Sequence, residues 1–128
     1  MLKRYPLKKL GDFRGYLIQC DYPEISKKIK HFLISYSKND VIRGNHYHKR
    51  KREWFSILQG KTKLYLHDLK TGKKSSYIIS AKKPEFVEME PFIAHTIKNI
   101  GSEELIFFEI IDEEFNPEDP DTYPFKIL

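Results

Sequence analysis

The sequence predicts an all-β domain of the barrel or sandwich type, and three observations carry that prediction. Short runs rich in Tyr, Phe, Ile and Leu recur along the chain. Turn residues break them at close intervals. Only residues 23–29 hint at a helical turn. In chain order the predicted strands are GYLIQC (15–20), HFLISYS (31–37), EWFSILQ (53–59), KTKLYLHD (61–68), SYIIS (76–80), FVEM (86–89), AHTIKN (94–99) and ELIFFEII (104–111). Gly60, the triplet Lys70-Thr71-Gly72 and the segment Asn99-Ile100-Gly101-Ser102 supply turns between them. In 61–68, Leu64 and Leu66 alternate with Lys63, Tyr65 and His67, so one face points inward. The run 104–111 is apolar on both faces. One face fills the barrel and the other needs a second layer or a second subunit. Residues 112–128 are acidic and hold three prolines, which excludes a central strand and predicts an extended surface arm.

A chain of 128 residues fits a single domain, residues 1–128, able to bury a core without disulfide help. With 40% hydrophobic and 32% charged residues it is expected to fold rather than stay disordered. Cys20 is the single cysteine, so no intrachain disulfide forms. No apolar run is long enough for a membrane helix, and the first residues, MLKRYPLKKL, lack the apolar core of a secretory signal. A cytoplasmic protein without membrane partners is the expectation. The net charge of +5 is uneven: residues 1–52 carry 14 Lys/Arg against 4 Asp/Glu, whereas 104–128 carry 8 Asp/Glu against one Lys. A basic front half suits a phosphorylated small molecule. No nucleic-acid motif is present, so nucleic acid is not an expected partner.

The chemistry concentrates at His46, His48, Glu53 and His95. A spacing of two puts His46 and His48 on one face of a strand. Glu53 follows His48 at odd parity, so a turn must lie in residues 49–52 if it is to face the same way, and four consecutive charged residues there fit an exposed turn. Three imidazoles and one carboxylate suit a divalent metal: zinc, iron, nickel or copper. His31 and His67 have no such company and read as structural or exposed.

The combination H-x-H, four residues, Glu53, six residues, Gly60 resembles the first cupin motif, with Gly44 nearer than that motif's opening glycine. Residues 89–99 resemble the second, PxGxxHxxxN. His95 and Asn99 are in place, Pro91 is one position late, and Phe92 stands where glycine is expected. Within the cupins, Asp12-Phe13-Arg14-Gly15 resembles the D-x-R-G of dTDP-4-dehydrorhamnose 3,5-epimerases. Residues 37–48, SKNDVIRGNHYH, resemble their S…G-V-L-R-G-L-H-Y segment. RGNHYH, the Glu spacing, the segment around His95 and residues 115–123 are similar to the C-terminal cupin domain of CapF-type capsular polysaccharide synthesis enzymes. The matches run from about residue 12 to 123.

The resemblance implies a jelly-roll barrel, a zinc ion on His46, His48, Glu53 and His95, and an isomerase. That isomerase would epimerise C3, or C3 and C5, of a UDP- or dTDP-linked 4-keto-6-deoxy sugar in glycan precursor synthesis. Arg43 matches an arginine that contacts the nucleotide-sugar in the rhamnose epimerases, and Arg14 is a second candidate of that kind. In those metal-free enzymes the histidine matching His46 is the base. In the related sugar 3,4-ketoisomerases the histidine matching His48 is implicated. Either is catalytic here only if it is not bound to metal. Tyr47 alternates away from the ligands. A 3,4-ketoisomerase is the alternative activity, though those enzymes tend to carry Gln where Glu53 stands. A non-catalytic sugar- or metal-binding cupin is the other alternative. A homodimer is expected, because run 104–111 needs cover and the resembled families pair through N-terminal strands. The CapF-type enzymes also carry a reductase domain, so reduction is expected from a separate partner.

Overall fold

The computed structural model describes residues 2–128. Its elements are β1 (Arg4–Pro6), β2 (Lys8–Asp12), β3 (Gly15–Gln19), α1 (Pro23–Ser26), β4 (His31–Ser37), β5 (Ile42–Tyr47), β6 (Glu53–Gln59), β7 (Lys61–Asp68), β8 (Lys74–Ser80), β9 (Glu85–Met89), β10 (Ile93–Asn99), β11 (Leu105–Ile111) and β12 (Tyr123–Pro124). Every predicted strand is present; 31–37, 53–59 and 61–68 match at both ends, and the others shift by at most two residues. Four strands lay outside the prediction: β1, β2, β5 and β12. Each is short, lacks a long apolar run or contains proline, so its local signal is weak.

Two five-stranded antiparallel sheets face each other, in the orders β1-β9-β6-β11-β4 and β12-β5-β10-β7-β8. Their inner faces supply the main core, which includes Phe55, Ile57, Leu64, Leu66, Val87, Ile97 and Phe107. Leu64 and Leu66 point inward as their alternation requires. The other apolar face of β11 meets a layer from the chain itself. Ile110 packs with Trp54, Phe86 and Ile25 of α1, and Phe108 lies against that cluster. Ile25 is fully buried, which stabilises by roughly 2 kcal/mol and seats the short helix on the sheet. The cover stops short of β4, where Phe32, Ile34 and Tyr36 remain exposed.

β2 and β3 form a separate two-stranded hairpin whose residues are all exposed. Residues 112–128 run over the surface as an extended arm, and β12 adds to the free edge of β5. Among the described residues no helix is long and apolar enough to cross a membrane.

Candidate metal centre

β5 carries His46, β6 begins with Glu53, and β10 carries His95; His48 follows directly after β5. The chain between β5 and β6 makes the turn that the odd parity of Glu53 requires. β10 pairs with β5 so that His95 lies opposite His46, but Thr96 lies opposite Gly44. Asn45 is therefore the extra residue of a β-bulge, and it adopts a left-handed φ of +54°. Gly44 has φ +105°, and a Cβ there would stand 2.7 Å from the carbonyl oxygen of His95. Glycine is required at this position for conformation and for space. The bulge is what brings the H-x-H histidines into register with His95.

Phe92 occupies the motif's glycine position and takes the glycine-like φ of +63°. Its N–H donates to the carbonyl of His48 at 2.8 Å, and its carbonyl accepts from Leu69. These bonds hold a bulky residue in a region that normally costs about 1–2 kcal/mol. Asn99 is wholly buried; its amide donates to the carbonyls of Ser37, Lys38 and Glu103, and its oxygen accepts from Gly101 N–H. It ties two loops together and stays outside the pocket lining.

One ligating atom from each of His46, His48, Glu53 and His95 fits within a span of 4.8 Å. His48 Nδ1 lies 2.8 Å from the carbonyl oxygen of Asp121, and His95 Nδ1 lies 3.1 Å from that of Ile93. A carbonyl only accepts, so each Nδ1 bears a hydrogen. Both Nε2 atoms then turn toward Glu53 Oε1, at 2.9 Å for His48 and 3.5 Å for His95. Two neutral imidazole lone pairs facing a carboxylate oxygen repel unless a cation, a proton or a metal, sits between them. The donor set and this convergence fit a divalent metal.

The electrostatics agree. Burial, reinforced by the neighbouring His95 and His48, lowers His46 from the usual value near 6.5 to about 4. His46 is thus neutral, the ligating form, at pH 7. Burial alone would raise Glu53, but its contacts with His48 and His95 outweigh burial and hold it below the usual carboxylate range. Burial raises Glu109, and the nearby Glu53 carboxylate raises it further. The Asp121 carboxyl is held low despite burial, because it accepts from the N–H groups of Lys49, Arg50 and Lys51.

These residues open onto a cavity of about 340 Å³ lined from both sheets. That is the small end of ligand pockets, suited to a sugar ring with the remainder of a larger ligand outside. Arg43 lies on its wall, with Nε donating to Ser37 Oγ at 2.6 Å and Nη2 to the Tyr36 carbonyl at 3.2 Å. Sequence reasoning missed the polar wall residues Ser35, Lys51, Glu109 and Thr122. Lys51 was expected on an exposed turn, yet its Nζ lies 3.9 Å from Glu53 Oε2. Glu109 sits in the most apolar strand. Thr122 belongs to the arm. For Lys51 and Glu109 the available signal was a charged residue at ligand parity or inside an apolar run. Arg14 is not gathered in: it sits at the hairpin tip, pairs with Asp12 at 2.6 Å, and lies outside the pocket lining. Tyr47 points away from the ligands and stacks on Tyr123.

A double-sheet barrel with three histidines and a glutamate in its cavity defines a cupin. The particular family follows from the sequence: residues 11–123 match the polysaccharide biosynthesis C-terminal domain, and the chain belongs to that family. A UDP-2-acetamido-2,6-β-L-arabino-hexul-4-ose reductase from Pseudomonas aeruginosa is 34% identical over 83 residues, 65% of this chain and 22% of that protein. The capsular polysaccharide assembling protein CapF from Staphylococcus aureus superposes with TM-score 0.74 at 27% identity, over 96% of this chain and 35% of CapF. The 128 residues thus span between about a fifth and a third of these relatives' lengths. A dTDP-6-deoxy-D-glucose-3,5-epimerase from Legionella pneumophila, solved with dTDP-4-keto-L-rhamnose, superposes with TM-score 0.82 at 20% identity, over 99% of this chain and 73% of that one, a likeness of fold.

Proposed function

We propose that this protein is a metal-dependent epimerase acting at C3, or C3 and C5, of a nucleotide-linked 4-keto-6-deoxy sugar in glycan precursor synthesis. The single observation that carries the reading is the convergence of His46, His48, Glu53 and His95 in a sugar-sized cavity. The named substrate of the Pseudomonas relative favours a UDP-linked 2-acetamido sugar over a dTDP sugar. Zinc is the metal best suited to three imidazoles and a carboxylate with no redox chemistry required.

Epimerisation removes the proton α to the ketone and returns one to the opposite face. A divalent cation in the cluster would supply Lewis acidity toward the oxygen of the developing enolate. The four cluster residues would hold that cation, so His46 or His48 would serve as base only in a metal-free enzyme. The apolar wall of Phe55, Ile97 and Phe107 excludes water and strengthens every charge inside. Arg43, already oriented by Ser37 and Tyr36, is assigned to the diphosphate, for which a guanidinium fork is well shaped.

Two copies are proposed to pair. An isolated two-stranded hairpin is marginal in water. The β2–β3 hairpin exposes Leu10, Phe13, Tyr16, Leu17 and Ile18, and β4 exposes a matching apolar face. Since the hairpin is remote from its own pocket lining, Arg14 reaches substrate only in a partner's pocket. A separate reductase would act on the epimerised ketone.

The test is solvent exchange. Zinc-loaded protein is incubated in heavy water with UDP- and dTDP-4-keto-6-deoxy sugars, and the sugar protons are followed by NMR. Deuterium should enter at C3, or C3 and C5, and Glu53→Gln should slow entry by at least about 100-fold, since lesser outer-shell changes already cost 10- to 100-fold. A migrated carbonyl would replace the epimerase with a ketoisomerase. Absence of exchange in a metal-loaded protein would leave only a binding role.

A further inference from the structure

The acidic arm makes a set of contacts that surface wrapping does not require. The Asp121 carboxylate accepts three consecutive backbone N–H groups, from Lys49 at 3.0 Å, Arg50 at 2.8 Å and Lys51 at 2.8 Å. This is the turn between His48 and Glu53. The carbonyl of the same residue accepts from His48 Nδ1 at 2.8 Å. One arm residue thus grips both the imidazole and the loop joining it to the carboxylate. Asp121 is nearly fully buried and takes a left-handed φ of +52°, which Asp and Asn tolerate better than other side chains.

The flanking chain fixes Asp121 in place. Tyr123 and Pro124 pair with Tyr47 and His46 along the free edge of β5. Phe125 N–H donates to the Asn45 carbonyl at 2.8 Å, and the Asn45 side-chain oxygen accepts from Ile127 and Leu128 N–H. The bulge that aligns His46 with His95 is therefore capped by the same arm.

We infer that Asp121 is a positioning residue for the metal centre: it locks His48 with Nδ1 protonated and Nε2 free to ligate, and it sets the His48-to-Glu53 spacing. The inference rests on the pocket being a metal site. Asp121 itself is not a ligand, and its removal should loosen metal by about 10- to 100-fold, the effect typical of groups that orient ligating histidines.

Two measurements test it on the full chain. Zinc affinity is measured by competition with a chromophoric chelator for wild type, Asp121→Ala, Asp121→Asn and Tyr123→Ala, with the melting temperature of each. Histidine ring-nitrogen NMR reports the His48 tautomer in the zinc-free state. Asp121→Ala keeps the main-chain carbonyl but frees the 49–51 turn and disfavours the left-handed φ that aims that carbonyl at His48, so it should lose about 10- to 100-fold in affinity and weaken the protonated Nδ1 signal. Asp121→Asn, which keeps an acceptor and the left-handed backbone, should restore most of both. Tyr123→Ala should lower the melting temperature yet keep the signal and bind zinc within a few-fold of wild type. Affinity that follows melting temperature across all the variants would overturn the inference, as would unchanged zinc binding and tautomer in a folded Asp121→Ala. If Asp121→Ala fails to fold, the comparison of Asp121→Asn with Tyr123→Ala decides. Wild type that binds no zinc would instead defeat the metal reading, while the ring-nitrogen signal would still report on the Asp121 contact.

Discussion

At the pocket, side chains from β5, β6, β10 and the arm line one cavity, although Arg43 and Thr122 stand 79 residues apart in sequence (122 − 43). In the β2–β3 hairpin the strongest polar contact joins Asp12 to Arg14, two residues away, and every residue is exposed. Both regions carry residues nominated from sequence motifs. The first is organised by the packing of two sheets, so its geometry exists only in the folded chain. The second is organised locally, so its conformation owes little to the barrel and its apolar side chains are left for another surface. Motif residues alone did not distinguish these situations; the packing around them did.

The largest test of the contrast is at the bulge. Gly44→Val places a β-branched side chain at φ +105° with its Cβ against the His95 carbonyl. Strain and clash together should cost about 3 kcal/mol or more. Urea unfolding should show the loss, with metal binding abolished in whatever folds. A stable Gly44→Val protein with an intact centre would mean that the bulge does not set the register of His46.

A smaller effect is expected in the pH dependence of the metal-free protein. His46 faces His95, His48, Glu53 and Lys51, and takes up a proton in the folded state only near pH 4. The unfolded imidazole does so near 6.5. The unfolded chain therefore binds more protons between these values, and stability present above pH 6.5 is lost as pH falls toward 4. The slope is at most about 1.4 kcal/mol per pH unit for one proton. Glu109 has the opposite sign: burial and the Glu53 carboxylate hold it well above its ordinary value of 4.5 in the folded state, so it costs stability as pH rises past 4.5. Glu109→Gln should raise the melting temperature at pH 7 by a few degrees and leave the His46 slope in clearer view. Thermal melts of both proteins from pH 4 to 7 check this. Glu53, held low, adds loss only below about 4.5. A flat profile in Glu109→Gln would refute the neutral, half-buried His46.

The smallest effect on stability is expected at the hairpin. Arg14→Ala removes an exposed, solvent-screened pair and should leave the urea unfolding midpoint nearly unchanged. If copies pair through the hairpin and bring Arg14 to a neighbour's pocket, KM should rise while the melting temperature holds. Leu17→Asp should shift the sedimentation profile toward monomer. An unchanged KM in Arg14→Ala would leave Arg43 as the sole arginine at the substrate.

Much of the site was legible because its signals are short in range. H-x-H puts two imidazoles on one face, and the odd spacing of Glu53 demands the turn that residues 48–53 make. His95 and Asn99 stand at motif spacing on a strand whose apolar alternation is clear. The remainder needed distant partners. Nothing near Gly44 announces the approach of the His95 carbonyl. Nothing near Asp121 announces three amide donors at 49–51. Glu109 looked like an interruption in an apolar strand, and only the facing Glu53 makes it a pocket residue. The second apolar face of β11 called for cover, but that α1 supplies part of it depends on where Ile25 lands.

The sequence by itself determined most of the strand set, the residue types of the candidate site and the parity that puts His46 and His48 on one side, because period-two alternation and turn chemistry act within a few residues. The tertiary structure alone decided the bulge register, the protonated Nδ1 atoms of His48 and His95, the upward shift of the Glu109 carboxyl and the grip of the arm. Each of these depends on a hydrogen bond, a close approach or a burial between segments that meet only when the two sheets close.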